Sequence, residues 1–317
     1  MNTINLIKNP EANLAAKSNR LAPFIGGTPL YHVTNINRNE KVRIFAKLEW
    51  QQFGGSVKAR PAYRIIKDAI HQGALIPGKR LLDASSGNTG IAYAHIGAAL
   101  GIPVTLCLPE NATNERKRIL RALGVDLRLT SMTGTTDEAQ EIARQLFEDD
   151  PDTYFFADQY GNESNWKAHY DTTGPEILEQ SEYGVTHFIA GLGTTGTVVG
   201  TGRRLKEYDP DIRVIALQPD LPMHGLEGWK HLETALVPGI YDDTLPDEIR
   251  SIGTETAHET IKLAASREGL LLSPSSAANL AAALQLADEL EEGTVVTVFP
   301  DDGSKYGEVM NHLFNKT

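Results

Sequence analysis

A single lysine, Lys58, stands near the end of the glycine-rich stretch "FGGSVKAR" at residues 53–60. Glycine leaves the backbone unhindered, so a flat ligand can approach it closely. A lysine amine in such a place can form a Schiff base with a carbonyl compound. The stretch therefore raises the question of which ligand Lys58 meets.

The sequence "AGLGTTGT" at residues 190–197 is a candidate binding site for a phosphate group. It follows an apolar run and precedes a predicted helix, so its N–H groups, its hydroxyls and the positive end of the helix can face one anion. The stretch also fits the G-x-G-x-x-G pattern of dinucleotide-binding folds, but the acid expected after the next strand is replaced by Gln218. A tight turn that needs glycine for steric reasons is the alternative.

Two further loops place polar side chains at predicted helix starts. "DASSGNTG" at residues 83–90 follows an apolar run, and its hydroxyls and amide suit a carboxylate ligand. "LLLSPSSAANLAAAL" at residues 270–284 brings Ser273, Ser275 and Ser276 to the mouth of another helix. Ordinary helix capping also explains both stretches. One phosphate site, one carboxylate site and Lys58 together fit an amino acid bound to a phosphorylated aldehyde that lysine holds as a Schiff base.

Other patterns in the chain do not carry chemistry. "GALIPGKR" at residues 73–80 imitates a phosphate loop but ends in arginine and precedes its strand, which favours a turn. "HETIK" at residues 258–262 lacks the second histidine of a zinc-binding helix, and the nine histidines show no ligand spacing, so no metal is predicted. The one cysteine, Cys107, lies in an apolar run and is predicted to be a buried structural thiol.

Composition narrows the class of protein. The 317 residues carry a net charge of -11, which predicts no nucleic-acid partner. No run approaches the ~18 apolar residues of a membrane span, and the first 24 residues lack a signal sequence, so we expect a cytoplasmic protein without a membrane partner.

Short apolar runs alternate with helical patterns along the whole chain, which is typical of parallel sheets covered by helices. We predict an α/β protein of two open, mostly parallel three-layer domains with the active site in the crevice between them. The smaller, mobile domain is predicted at residues 45–157 and carries the carboxylate loop. The larger domain, residues 1–44 and 158–317, carries the phosphate loop. Residues 1–24 are either an arm that wraps a neighbour or a frayed terminus.

These motifs, in this order, resemble the cysteine synthases, pyridoxal-phosphate enzymes with the fold of the tryptophan synthase β-subunit (fold type II). The resemblance covers nearly the whole chain, from "IGGTPL" through "GGSVKAR", "SSGNTG", "TTGPEI" and "GLGTTGT" to "FPDDGSKY". The "GTTGT" form is most similar to the B-type enzymes, some of which take O-phosphoserine or a sulfur-carrier protein.

The resemblance implies a role for each matching residue. Lys58 would form the Schiff base with pyridoxal 5'-phosphate and, once displaced, move the substrate's α-proton. Asn88 would bond the 3-oxygen of the cofactor ring, and Ser275 would face its pyridine nitrogen. The residues implied at the cofactor phosphate are Gly193, Thr194, Thr195, Gly196 and Thr197. Those implied at the substrate carboxylate are Ser85, Ser86, Thr89 and Gln159.

The implied reaction is a β-replacement on O-acetylserine or O-phosphoserine with a sulfide donor, giving L-cysteine. Lys58 needs a lowered pKa to act as a base, which desolvation between closing domains would supply. The alternatives are a β-replacement synthase with another nucleophile, of cystathionine or diaminopropionate type, and a cofactor-binding protein without turnover. A homodimer is implied, and a serine acetyltransferase or a sulfur-carrier protein is a candidate partner.

The chain departs from the family pattern at several places. Gln52 and Phe53 stand where Asn-Pro is usual, Ala59 stands where Asp is common, and Ala277 and Ala278 stand where glycine follows the serine pair. The ending "KYGEVMNH" is also unusual. These changes leave the cofactor residues intact and bear on the substrate and the nucleophile.

One segment has two interpretations. The stretch at residues 223–242 offers His224, Lys230 and His231 as a substrate-side loop. A surface loop anchored by Trp229 explains it equally well.

Overall fold

The chain forms two compact units. The computed structural model describes residues 10–85, 87–133, 135–182 and 184–315, without the side chains of Ala12 and Thr135. Unit 1 takes the residues up to Gly26 together with Lys58–Asn165. Unit 2 takes Gly27–Val57 and the residues from Trp166 onward. Each unit has its own sheet, so the predicted α/β class with parallel sheets is confirmed.

The strands and helices alternate along the chain. The strands are β1 Leu30–Val33, β2 Val42–Leu48, β3 Arg80–Ala84, β4 Val104–Pro109, β5 Asp126–Thr130, β6 Tyr154–Phe156, β7 His187–Gly191, β8 Arg213–Pro219, β9 Glu248–Ile252 and β10 Gly293–Phe299. The α-helices are α1 Pro10–Leu21, α2 Ala59–His71, α3 Asn88–Leu100, α4 Asn114–Ala122, α5 Thr135–Asp149, α6 Ser164–Ala168, α7 Gly174–Gln180, α8 Gly196–Tyr208, α9 Thr254–Arg267, α10 Pro274–Glu289 and α11 Gly307–Phe314. A π-helix at His169–Thr173 joins α6 to α7, and short 3₁₀ turns lie at Ala22–Phe24 and Gly303–Lys305.

Unit 1 is built on a parallel sheet of four strands in the order β5-β4-β3-β6. Strand β4, "VTLCLP", is buried along its whole length, as expected for a parallel strand covered on both faces. Leu82 and Cys107 pack against Ala139 and Ala143 of α5 on one face. Helix α1 belongs to the same unit, where the Tyr63 hydroxyl of α2 donates to the Ser18 carbonyl oxygen at 3.1 Å.

Unit 2 is built on a sheet of six strands in the order β1-β2-β10-β7-β8-β9. Only β1 is antiparallel to its neighbour among these pairs. Alternate residues of β7 enter different cores: Ile189 joins the cluster that contains Ile261 of α9, whereas Phe188 joins the cluster that contains Leu205 of α8. The sheet is therefore the middle of three layers.

Strand order reverses once in each parallel sheet. In unit 1 the chain runs from β3 outward to β4 and β5, and β6 then returns to the other side of β3. In unit 2 the chain runs from β7 outward to β8 and β9, and β10 returns to the other side of β7. Open α/β sheets bind ligands at such switch points, beyond the carboxyl ends of the strands. The loops that follow β3 and β7 are the two polar loops that the sequence singled out.

The chain passes between the units at positions other than those expected from sequence. The expected domain limits were 44/45 and 157/158, whereas the units divide at 26/27, 57/58 and 165/166. A division at 44 would cut β2, which pairs with β10 from Val42 to Leu48. A division at 157 would separate β6 from the loop that follows it, although the Asn165 side chain donates to the carbonyl oxygen of Gln159 at 2.6 Å.

Within the described ranges, none of the helices combines the length and the apolar character that crossing a bilayer requires.

Candidate functional site

Lys58 lies where the glycine-rich turn meets the first turn of α2. Gly54 and Gly55 have φ angles of 86° and 63°, a region that favours glycine. The turn is held in unit 2, where the Val57 N–H donates to the carbonyl oxygen of Pro300 at 2.8 Å and Lys305 Nζ donates to that of Gly55 at 2.8 Å. Lys58 itself is half-buried and its carbonyl oxygen accepts the first N–H bond of α2, from Ala62 at 3.1 Å.

The loop after β3 is shaped by Ser85. Its Oγ accepts the N–H of Gly90 at 3.0 Å and that of Gly87 at 3.4 Å, so this hydroxyl caps the start of α3. A Cβ on Gly90 would lie 2.8 Å from Leu106 Cδ1, which explains glycine there. Ser85 and Thr89 are buried, and Asn88 begins α3 half-buried. Ser86, which sequence also predicts at the substrate, lies outside the described residues.

Gln159 lies beside this loop, at the end of the neighbouring strand. It is 3% exposed, and its Nε2 donates to the carbonyl oxygen of Ala84 at 2.7 Å. Its backbone N–H donates to Asp83 Oδ2 at 3.2 Å. The structure therefore brings Ser85, Thr89 and Gln159 together at the switch point of unit 1, between β3 and β6.

The loop after β7 has the features of an anion site. Thr195 is 2% exposed, its φ is 68°, and its Oγ1 is buried without a hydrogen-bond partner in the described part of the chain. Helix α8 begins at the next residue, so the N–H groups of its first turn lack partners within the helix. A strained residue with a buried hydroxyl, at the start of a helix with free N–H groups, fits a phosphate group. These observations agree with the phosphate of pyridoxal phosphate.

A second segment of unit 2 covers the same loop. A Cβ on Gly193 would lie 2.2 Å from the carbonyl oxygen of Gly228, and one on Gly191 would lie 2.0 Å from Trp229 Cε2. The Lys230 N–H donates to the carbonyl oxygen of Leu192 at 2.7 Å. Close packing against this segment therefore requires glycine at positions 191 and 193, whether or not the loop binds an anion.

The packing of residues 228–230 on the phosphate loop bears on whether residues 223–242 are a substrate-side loop or a surface loop anchored by Trp229. Trp229 is buried against the phosphate loop, as the anchor interpretation expects. His224 Nδ1 accepts the N–H of Leu226 at 3.1 Å, and His231 Nδ1 lies 3.0 Å from Thr234 Oγ1. Burial lowers the pKa of His224, and the charge of His231 adds to the effect.

His169 is a neighbour of the phosphate loop that sequence reasoning missed. It is fully buried in the π-helix, with Nδ1 2.9 Å from Thr173 Oγ1 and Nε2 3.3 Å from Thr197 Oγ1. It therefore links the hydroxyl of Thr197 to the element before α7. The "HYDTT" stretch shows no sequence signal for a π-helix.

Ser275 lies in the first turn of α10, in a group of buried serines. Ser273 caps the helix by accepting the N–H of Ser276 at 3.2 Å, and its Oγ lies 3.2 Å from Ser275 Oγ. Ser276 Oγ donates to the carbonyl oxygen of Asp301 at 2.6 Å, just beyond the end of β10. Capping therefore accounts for Ser273, and the bond to Asp301 accounts for the hydroxyl of Ser276. The hydroxyl of Ser275 has that of Ser273 as its neighbour in this group.

The departures from the family pattern have local explanations. Gln52 Nε2 donates to Glu49 Oε2 at 2.7 Å, and so ties the glycine-rich turn to the end of β2. Ala59 and Ala277 are fully buried helical residues, where alanine suits close packing.

In the ranges that the structure describes, no group of three or more His, Cys, Asp or Glu is arranged to hold a metal ion. Cys107 is buried, and burial together with the charge of Asp83 raises its thiol pKa to about 12.

Comparisons with known proteins identify the family and the fold of the chain. Residues 21–301 match the family described as pyridoxal-phosphate dependent enzyme. A cysteine synthase of Aquifex aeolicus is 47% identical over 290 residues, covering 89% of this chain and 89% of that protein. The crystal structure of a cysteine synthase from Entamoeba histolytica has a TM-score of 0.86 at 31% identity and covers 94% of this chain and 95% of its own. An O-acetylserine dependent cystathionine beta-synthase from Helicobacter pylori has a TM-score of 0.84 at 31% identity, covering 90% and 96%.

Proposed function

Because the chain belongs to the pyridoxal-phosphate dependent enzymes and, among them, to the cysteine synthases, we propose that it makes L-cysteine from an activated serine and a sulfide donor. The activated serine is O-acetylserine or O-phosphoserine. The observation that carries the proposal is the pair of polar loops at the two switch points, one suited to a phosphate and the other to a carboxylate.

The bound cofactor supplies an electron sink that makes the α-proton of the amino acid acidic and allows the β-substituent to leave. Lys58 would hold the cofactor aldehyde through Nζ, and its free amine would take the α-proton of the substrate. The phosphate is held by N–H groups and hydroxyls of residues 193–197. The buried hydroxyl of Thr195, which has no hydrogen-bond partner among the described residues, supports this role.

Ser275 would present a neutral hydroxyl to the pyridine nitrogen of the cofactor. Its position in the first turn of α10 supports the proposal, because the positive end of the helix disfavours a protonated nitrogen beside it. Asn88 would donate a hydrogen bond to the 3-oxygen of the ring. This set favours loss of the β-substituent over chemistry that needs a protonated ring.

The amino-acid carboxylate is bound at the start of α3. Thr89 and the N–H groups of the first helical turn supply donors, and Ser86 belongs to the same proposal. Gln159 uses one N–H of its amide on Ala84 and keeps a second N–H for the substrate. Ser85 contributes by holding the loop in shape.

The test starts from the visible absorption of the purified protein. Borohydride reduction should attach the cofactor covalently to Lys58, as peptide mass analysis would detect, and Lys58→Ala should abolish the adduct. Lys67→Ala is the matched control on the same helix, because Lys67 Nζ instead lies over the ring of Tyr63 at 5.9 Å. O-acetylserine or O-phosphoserine should shift the absorption band, and sulfide should restore it with release of cysteine. If neither ester shifts the band, cysteine synthesis is wrong even though the cofactor binds.

A second candidate uses another nucleophile. The similarity to the Helicobacter pylori enzyme, named as a cystathionine synthase that depends on O-acetylserine, favours homocysteine as the alternative to sulfide. Steady-state rates with each nucleophile at one ester concentration distinguish the two. A cofactor-binding protein without turnover would show the band and form neither product.

A homodimer, a serine acetyltransferase or sulfur-carrier protein as partner, and a cytoplasmic location stay predictions. Light scattering of the purified protein tests the first of these.

A further inference from the structure

Asp83 is a buried carboxyl to which neither the sequence patterns nor the proposed reaction assigns a role. It lies on β3, is 1% exposed, and stands one residue before the end of the strand. Removing a carboxyl group from water costs free energy unless other groups hydrogen-bond it. Its partners therefore indicate what this residue does.

The two oxygens of Asp83 accept N–H groups from two different strand ends. Oδ1 accepts the N–H of Ala84 at 2.8 Å, and Oδ2 accepts the N–H of Gln159 at 3.2 Å. The side chain of Gln159 closes the ring by donating to the carbonyl oxygen of Ala84 at 2.7 Å. Asn165 adds a bond to the carbonyl oxygen of Gln159 at 2.6 Å.

This ring joins the ends of β3 and β6 at the switch point of unit 1. Ala84 leads directly into Ser85, whose Oγ holds the N–H groups of Gly87 and Gly90. Gln159 is fixed at both its backbone and its amide. A carboxylate suits this place because both of its oxygens accept hydrogen bonds, whereas an amide or a protonated carboxyl group would also bring a donor. One backbone N–H on each oxygen fits a structural link between the two strand ends.

We propose that Asp83 is a positioning residue for the amino-acid substrate, because its carboxylate sets the spacing between the helix start at residues 87–89 and the amide of Gln159. The proposal rests on the proposed function, in which those groups bind the substrate carboxylate. It names a residue that acts through Gln159 and the loop and does not touch the substrate.

Asp83→Asn is the informative change. An amide can accept one of the two N–H groups, but its own NH₂ then meets the other donor, and that bond is lost. We expect the KM for O-acetylserine to rise about tenfold, the size of effect expected from one lost bond to a charged acceptor. The turnover number, the KM for sulfide and the absorption of the bound cofactor should change less than about twofold. Burial raises the pKa of Asp83 to about 7, so these assays belong near pH 8, where the carboxylate is ionised.

Two further variants distinguish a specific effect on substrate binding from a general loss of protein stability. Leu82→Val alters the adjacent residue, which packs on the other face of β3 against α5, and should lower stability without raising the KM for O-acetylserine. Gln159→Ala removes the residue through which Asp83 acts. In a double-mutant cycle the combined variant should bind substrate little worse than Gln159→Ala alone, because the second change removes an interaction that is already lost.

Hydrogen exchange supplies a readout that does not depend on turnover. In the substrate-free holoprotein, peptides covering residues 84–90 and 157–165 should exchange faster in Asp83→Asn, and peptides from unit 2 should not. An unchanged KM, or fully additive effects with Gln159→Ala, would overturn the proposal. Unchanged exchange at both segments would overturn it as well. If the wild type makes no cysteine but hydrogen exchange is faster in Asp83→Asn as expected, the proposed function is wrong, and the role of Asp83 in holding the two strand ends together is supported.

Discussion

Replacing Gly193 by alanine tests whether the phosphate loop is built by packing from a second segment. The added Cβ would lie 2.2 Å from the carbonyl oxygen of Gly228, whereas Cβ contacts below 3.0 Å essentially never occur. The loop and the covering segment must therefore separate by about 0.8 Å. The atoms that the Cβ meets belong to the backbone of Gly228, so no side-chain rotation relieves the clash. Overpacking of this kind costs about 1–3 kcal/mol.

Because the displaced atoms belong to the anion site, we expect much of that cost to appear as weaker cofactor binding. A loss of about 1–3 kcal/mol corresponds to a roughly 5- to 150-fold higher dissociation constant. The assay is a titration of the cofactor-free protein with pyridoxal phosphate, followed by visible absorption. Gly202→Ala is the matched control, since a Cβ there comes no nearer than 3.1 Å to other atoms, and these belong to the side chains of Val214 and Leu245, which can shift. Wild-type affinity and an unchanged melting temperature in Gly193→Ala would refute the packing argument.

Two other perturbations test the groups around these loops. Thr195→Gly should raise the stability of the cofactor-free protein by about 1 kcal/mol, because glycine relieves the strain at φ 68°. The same change should weaken cofactor binding, because the buried hydroxyl is lost. Thermal melts should therefore show a higher melting temperature without cofactor and a smaller rise in melting temperature when cofactor is added. Asp83 should make stability fall as pH rises from about 4 to 7, because burial raises its pKa from 3.8 to about 7 and the folded protein then holds the proton more tightly than the unfolded chain. The unfolding free energy of wild type minus that of Asp83→Asn should fall over that range, and a constant difference would contradict the assignment.

The fold class could be predicted from sequence because the central strands are continuous apolar runs. "VTLCLP" and "TVVTVFP" are covered on both faces by helices, and burial on both faces selects such runs. The strands β1 and β9 have weaker sequence signals. Both lie at the edges of the six-stranded sheet and are partly exposed, so neither carries a continuous apolar signal. The helix at Pro10–Leu21 was missed for the related reason that its apolar periodicity is weak.

The site was predicted where residue type alone limits the chemistry. A lysine after two glycines, and hydroxyls between a strand and a helix, depend on local spacing that sequence displays directly. His169 and Asp83 could not be found this way. Each acts through a residue distant in the chain, and the meaning of a buried polar side chain depends on the donor that the fold brings to it.

By itself, the sequence determined the alternation of strands and helices, the position of Lys58 and the two polar loops, because these follow from local periodicity and from the chemistry of single side chains. Only the tertiary structure decided the strand order that places both loops at switch points, the segment that covers Gly193, and the bonds that join Asp83 to Gln159. Strand order and long-range hydrogen bonds depend on which elements pack side by side. That choice is made by the whole core and leaves no signal in the residues of any one loop.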